Sequence, residues 1–234
     1  MSAAAPQRRD FPDGAALATA FAQWTADLLQ RAVDARGAAL LVVSGGSTPR
    51  RFFAALARQE VDWARVAITL ADERRVADDD RRSNAKMVRE TLLRDRAAAA
   101  RFAPLADSRL APDDELAAAE ARMAALALPA DLVVLGMGDD GHTASWFPGA
   151  DRLAAAIDPA TPELVLPITA PGAQEPRLTL TARVILGARA LALQIEGADK
   201  AATLARALGP GPVEDMPVRA ALRGAAERLT IFSA

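Results

Sequence analysis

The period of the hydrophobic and polar positions changes repeatedly along the chain, and the changes mark alternating elements. Over "AALATAFAQWTADLLQRAVDAR" the residues Leu17, Phe21, Trp24, Leu28 and Leu29 recur at helical spacing, and Gly37 follows as a stop, so a long amphipathic first helix is predicted. Before it, "MSAAAPQRRDFPDG" carries no such period and reads as a ragged start. Short apolar runs ending in Gly, Asp or Ser then each precede a helix-like stretch: "AALLVVSGG" before "TPRRFFAALARQ", and "VAITLAD" before "SNAKMVRETLLRD". "PDDELAAAEARMAALAL" reads as another helix, its acidic first turn suited to the helix dipole, and it leads into the strand "DLVVLGMG".

The second half continues with the strands "LVLPIT", "RLTLT" and "LALQIEG", the helices "DKAATLARAL" and "PVRAALRG", and the closing strand "RLTIF". The tract Ala97 to Ala100 has helix-forming composition. Strands alternating with helices predict an α/β fold with a mainly parallel sheet flanked by helices on both faces. No linker or solenoid repeat divides the chain. Residues 1–234 are therefore expected to form a single α/β domain, with room for a small subdomain formed by part of the second half.

Composition narrows the classes of function. With 51% hydrophobic and 25% charged residues, wholesale disorder is excluded. A net charge of -2, from 28 basic against 30 acidic residues, gives no general attraction to nucleic acid or to an anionic membrane, so any anionic ligand has to be captured locally. Neither a leader-like apolar core in the opening stretch nor an uncharged run of membrane-spanning length is present; a soluble, cytoplasmic protein is expected. No cysteine and one histidine exclude a disulfide and leave too few ligands for a typical zinc site, so no metal centre is expected, although an all-carboxylate magnesium or calcium site stays open.

In open α/β sheets ligands bind beyond the carboxyl ends of the strands, and three loops there are chemically loaded. In "LLVVSGGSTPRRF", Gly45, Gly46, Ser47 and Thr48 follow a strand and Pro49 stands where a helix would begin; such a turn presents backbone N–H groups to an anion, or else is only a well-capped βα turn. Neither the Walker A nor the G-x-G-x-x-G spacing is present. In "ITLADERRVADDDRRSN", Arg74 and its neighbours could grip a phosphate with Asp72 and Glu73 fixing their direction, or could form a solvated charge run. The third loop, "GMGDDGHTASWFPG", holds the only histidine, His142, among glycines that let a ligand approach the backbone. Imidazole takes and returns a proton near neutrality, which makes His142 the candidate general base, with Asp140 as its orienting partner. Lys200, in the first turn of a helix, is unfavourable against the dipole unless it faces an anion.

Taken in order, "SGGSTP", "DER-V" followed by "SN", "GMG-DGHTAS-FPG", "PRLTLT", "G-DK" before a helix and a final "P-RAAL" resemble the 6-phosphogluconolactonase family across residues 44 to 222. The resemblance implies the fold shared with glucosamine-6-phosphate deaminase and ribose-5-phosphate isomerase. It also implies hydrolysis of 6-phosphoglucono-1,5-lactone in the oxidative pentose phosphate pathway, without a cofactor. Carried onto this chain, it implies phosphate contacts from the "GGST" loop, Arg74, Arg177 and Lys200, a substrate contact from Asp72, and a catalytic His142. Trp146 stands where the family usually shows Leu, and Ala77 where Pro is common. The deaminase branch is the rival, but its residues after the histidine read like "IAFNEP" where this chain has "TASWFP". A sugar-phosphate-sensing domain is the second alternative, and it lacks the expected helix-turn-helix. The sequence leaves monomer or homodimer open.

Overall fold

The computed structural model describes residues 5–234. The strands run β1 (Gln7–Asp10), β2 (Ala39–Val43), β3 (Val66–Leu70), β4 (Asp72–Arg74), β5 (Arg101–Ala103), β6 (Leu132–Leu135), β7 (Val165–Ile168), β8 (Arg177–Leu180), β9 (Leu191–Ile195) and β10 (Leu229–Ser233). The helices are α1 (Gly14–Arg36), α2 (Arg50–Leu56), α3 (Asn84–Thr91), α4 (Pro112–Ala124), α5 (Leu153–Ile157), α6 (Ala182–Ile185), α7 (Ala198–Leu208) and α8 (Val218–Gly224). Seven strands form one parallel sheet in the order β1-β10-β9-β6-β2-β3-β5. Every residue of β2, β6 and β9 is buried, Gln194 of β9 included, as strands covered on both faces must be.

Local chemistry sets the element ends. Asp13 accepts the N–H groups of Ala15 and Ala16 to start α1, and Gly37, at φ 76, closes it. The face of α1 carrying Phe21 packs against α2 and β10, with ring centroids 4.0 Å from Phe52 and 4.2 Å from Phe232. Ser83 caps α3 through Lys86 N–H, and Asp113, Asp114 and Glu115 fill the first turn of α4. Among the described residues no helix is long and apolar enough to cross a membrane.

Three features depart from the pattern seen in sequence. Residues Gln7–Asp10 of the supposed ragged start pair in parallel with β10, and their polar composition suits a short sheet edge. Ala97 to Ala99 of the alanine tract lie in a 3-10 turn, Asp95–Ala99, and Ala100 beyond it is extended, so the tract forms no α-helix. The strands "LVLPIT" and "RLTLT" do not join the main sheet. They form, with β4, a separate antiparallel sheet in the order β4-β8-β7. Ala71 is the point of transfer: its N–H donates to Val43 O in the main sheet (2.9 Å), while its carbonyl accepts Leu180 N–H from β8 (2.9 Å). One residue later, Asp72 to Arg74 belong to the second sheet, folded across the carboxyl ends of the first.

Candidate active site

Strands β2 and β6 are neighbours, and the chain leaves them in opposite directions: toward β3 and β5 from one, toward β9 and β10 from the other. This is the topological switch point, where the loops after the strands diverge and open a crevice. A cleft of about 250 Å³ lies there. Its walls include residues 44–49 after β2, Gly136 to Gly138 and His142 to Ala144 after β6, Asp72, Arg74 and Arg177 from the second sheet, and Lys200 from α7. Of the residues singled out from sequence, Gly45, Gly46, Ser47, Thr48, Asp72, Arg74, His142, Arg177 and Lys200 all line it, and Asp140 stands directly behind His142.

His142 is held by its own loop. Nδ1 lies 2.6 Å from Asp140 Oδ1, and the His142 backbone N–H donates to the same oxygen at 3.0 Å. With the Nδ1 proton directed at a carboxylate, Nε2 is the nitrogen left to accept a proton. Burial works against ionisation of Asp140, but the hydrogen bonds from the His142 ring and backbone outweigh it and hold the carboxyl below the usual aspartate range. The imidazole packs on the Phe147 ring, centroids 4.1 Å apart. Gly138 makes room for it: a Cβ there would lie 2.1 Å from Nδ1, so the ring occupies the space a side chain would take. Further along, Thr143 Oγ1 donates to Gly136 O (2.8 Å), Ser145 Oγ to Asp72 Oδ2 (2.6 Å) and Trp146 Nε1 to Leu180 O (2.9 Å). Trp146 is therefore a fully buried tie between the histidine loop and the second sheet.

The loop opposite is tied down far less. Among the described residues the backbone N–H groups of Gly45, Gly46, Ser47 and Thr48 donate no hydrogen bond, and Gly46 and Ser47 are exposed. Four free donors at one strand end are a ready receptor for an anion.

Cations complete that wall. In the register of β4 and β8, Arg74 is directly opposite Arg177. Like charges so placed repel, and the pairing is favourable only with negative charge nearby. Burial draws the Arg177 guanidinium below the usual arginine range; Asp72 at 3.6 Å and Glu175 at 3.7 Å oppose this, and Arg74 adds to it. Arg177 also sits over the Phe147 ring at 5.1 Å. Arg74 donates to Arg82 O but has no carboxylate partner among the described residues, so its charge is the least neutralised of the three cations. Lys200 Nζ pairs with Asp139 Oδ1 at 2.8 Å.

Asp72 does something the sequence did not reveal. Its carboxylate, 6% exposed, accepts from Ser145 and faces Arg177, which ties the histidine loop to the arginine wall. Glu73 turns away from the ligand side. Burial raises its carboxyl above the usual glutamate range, opposed by the N–H groups of Ala85, Asn84 and Arg74 that it accepts. It thereby seats the N-terminus of α3 and the backbone of Arg74. Asn84 was visible only as half of the dipeptide "SN"; it lines the cleft and donates Nδ2 to Asp72 O at 2.9 Å. Among the described residues no group of three or more His, Cys, Asp or Glu side chains is placed to hold a metal ion.

Known proteins are similar to this chain over nearly their whole length. A 6-phosphogluconolactonase of Rhizobium meliloti (strain 1021) is 49% identical over 222 residues, covering 95% of this chain and 96% of its own. A 6-phosphogluconolactonase of Pseudomonas putida is 40% identical over 220 residues, covering 94% and 90%. The crystal structure of a 6-phosphogluconolactonase from Shewanella baltica OS155 matches with a TM-score of 0.93 at 39% identity, over 98% of each chain. The family model described as glucosamine-6-phosphate isomerases/6-phosphogluconolactonase spans residues 12–231, which take in the second sheet, all of the main sheet but β1 and the end of β10, and every wall of the cleft. The chain thus belongs to the glucosamine-6-phosphate isomerase/6-phosphogluconolactonase family.

Proposed function

We propose that this chain hydrolyses 6-phospho-D-glucono-1,5-lactone to 6-phospho-D-gluconate, a step of the oxidative pentose phosphate pathway, with His142 as general base. The observation that carries the mechanism is the shared cleft: an imidazole oriented by a carboxylate, four backbone N–H groups that donate to nothing among the described residues, and three cations all line it. The family and the names of its members support the substrate class.

The phosphate docks on the Gly45–Thr48 backbone and Arg74, with Arg177 and Lys200 adding positive charge. This leaves the lactone ring to reach toward His142. Nε2 takes a proton from water as the oxygen attacks C1, and the charge that builds on the former carbonyl oxygen is met by backbone donors of the glycine loops. Collapse of the tetrahedral intermediate breaks the bond between C1 and the ring oxygen. The imidazolium returns its proton to that oxygen, so His142 serves both steps. Asp140 holds the tautomer and stabilises the imidazolium between them. Water is the only co-reactant, and no cofactor enters the scheme. A cytoplasmic setting fits a chain without cysteine.

Proton release on adding fresh 6-phosphogluconolactone tests this, with glucosamine-6-phosphate and unphosphorylated gluconolactone as parallel substrates. Catalysed acid release from the first alone supports the proposal. Ammonia release from glucosamine-6-phosphate would instead establish the deaminase, and binding without turnover of any of them a sensor.

A further inference from the structure

The closing motif "P-RAAL" lies outside the cleft, and its arginine lines no part of it. Arg219, on α8, is 5% exposed and pairs with no carboxylate among the described residues. Its guanidinium donates instead to four carbonyl oxygens: Nε to Ala207 (3.2 Å), Nη1 to Pro212 (2.8 Å), and Nη2 to Arg206 (3.1 Å) and Pro210 (2.9 Å). Arg206 and Ala207 belong to the last turn of α7, where the carbonyls and the negative end of the dipole favour a cation. Pro210 and Pro212 belong to the segment that connects α7 to α8. One planar group, with donors in several directions, fastens helix, connector and α8 together.

That assembly grips the histidine loop on both sides of Asp140. Before it, Asp139 O accepts from Arg206 Nη2 at 3.2 Å and from Thr203 Oγ1 at 3.4 Å, both on α7. After it, Gly141 O accepts the Val218 N–H at 2.9 Å. The Met216 side chain lies flat against Gly141, close enough that a Cβ there would come within 2.8 Å of its Cε. Arg219 N–H in turn donates to Met216 O at 2.9 Å. The backbone on either side of the carboxylate that orients His142 is thus set by a unit whose internal tie is Arg219.

We propose that Arg219 is a positioning residue for the Asp140–His142 pair, acting through Met216, Val218 and α7 without touching substrate. The inference rests on the reading of His142 as the base for its effect on turnover, but its geometric content is measurable independently. His142 is the only histidine in the chain, so its ring gives the only imidazole signals in an NMR spectrum. Arg219→Lys keeps the charge and loses the planar set of donors; Met216→Ala keeps Arg219 and removes the contact on Gly141. Arg228→Lys is the control, since Arg228 also donates to carbonyls, those of Leu186 and Ala188, on a different part of the fold.

In folded Arg219→Lys and Met216→Ala, the His142 ring signals are expected to shift and broaden and kcat to fall by ~10-fold, with KM within about twofold of the parent value. Arg228→Lys is expected to leave both unchanged. Should Arg219→Lys fail to fold, Met216→Ala decides. Ring signals that superimpose on the parent in both folded variants, or that shift equally in the Arg228→Lys control, overturn the proposal whatever the turnover. Shifted signals confined to the two variants support it even if His142→Ala proves active, an outcome that would remove only the general-base reading.

Discussion

Two glycine-rich loops leave adjacent parallel strands, and they are built in opposite ways. The loop after β6 is bound at nearly every residue from Gly136 to Trp146, to its own backbone, to the second sheet and to α8. The loop after β2 leaves four consecutive backbone N–H groups without a partner among the described residues. The physical reason lies in what each must do. A general base works only within hydrogen-bond reach of one proton in one direction, so its position has to be fixed before substrate arrives. An anion receptor works by supplying donors that nothing else has satisfied, so internal bonding there would compete with the ligand. Glycine serves both loops: Gly138 yields its side-chain space to the imidazole and Gly45 yields its own to the Asn84 amide, where a Cβ would lie 1.8 Å from Oδ1, while Gly46, at φ 103, exposes backbone.

Substitutions that exchange these properties break the comparison, and their effects should fall in sequence. Removing the base is the most damaging: His142→Ala lowers kcat by about 10² to 10⁴-fold, and near-normal lactone turnover in that variant would take His142 out of the mechanism. Gly138→Ala keeps the imidazole but places a methyl group where Nδ1 now lies, and steady-state kinetics should show kcat down by ~10²-fold with KM little changed. Across the cleft, Arg74→Ala removes charge-assisted hydrogen bonds to the phosphate, so kcat/KM falls about 10- to 100-fold, chiefly through KM. Discrimination against unphosphorylated gluconolactone should shrink with it; an unchanged preference would mean that Arg74 is not an anchor.

The smallest effect is one of pH on stability. Asp140 has a folded pKa below its ordinary 3.8, so its ionised form contributes stability that is complete above the unfolded value and is lost as pH falls through the folded one. Asp140→Asn should flatten the stability curve below about pH 4 in denaturant titrations, while the parent keeps its slope.

The fold was legible wherever one rule governed a stretch of chain. Helical spacing with a glycine stop marked α1, apolar runs before capped segments marked β2, β3 and β6, and their alternation pointed to a parallel sheet. Strand β1 was not, because Gln7–Asp10 holds no apolar residue and exists only through pairing with β10, more than two hundred residues away in sequence. Nor was the second sheet. "LVLPIT" and "RLTLT" look like any other strands, and nothing local to Ala71 announces that its N–H and carbonyl serve different sheets.

What the sequence by itself determined, then, is the inventory: which side chains carry chemistry, which turns expose backbone, and which family pattern they follow. Tertiary structure alone decided their relations. Arg74 is opposite Arg177 because two strands pair in one register; Asp72 reaches Ser145 across 73 positions; Arg219 acts on the histidine loop through a connector it never names in its own motif. Such relations depend on hydrogen-bond register and on packing between segments distant in sequence, and no local period or composition encodes them.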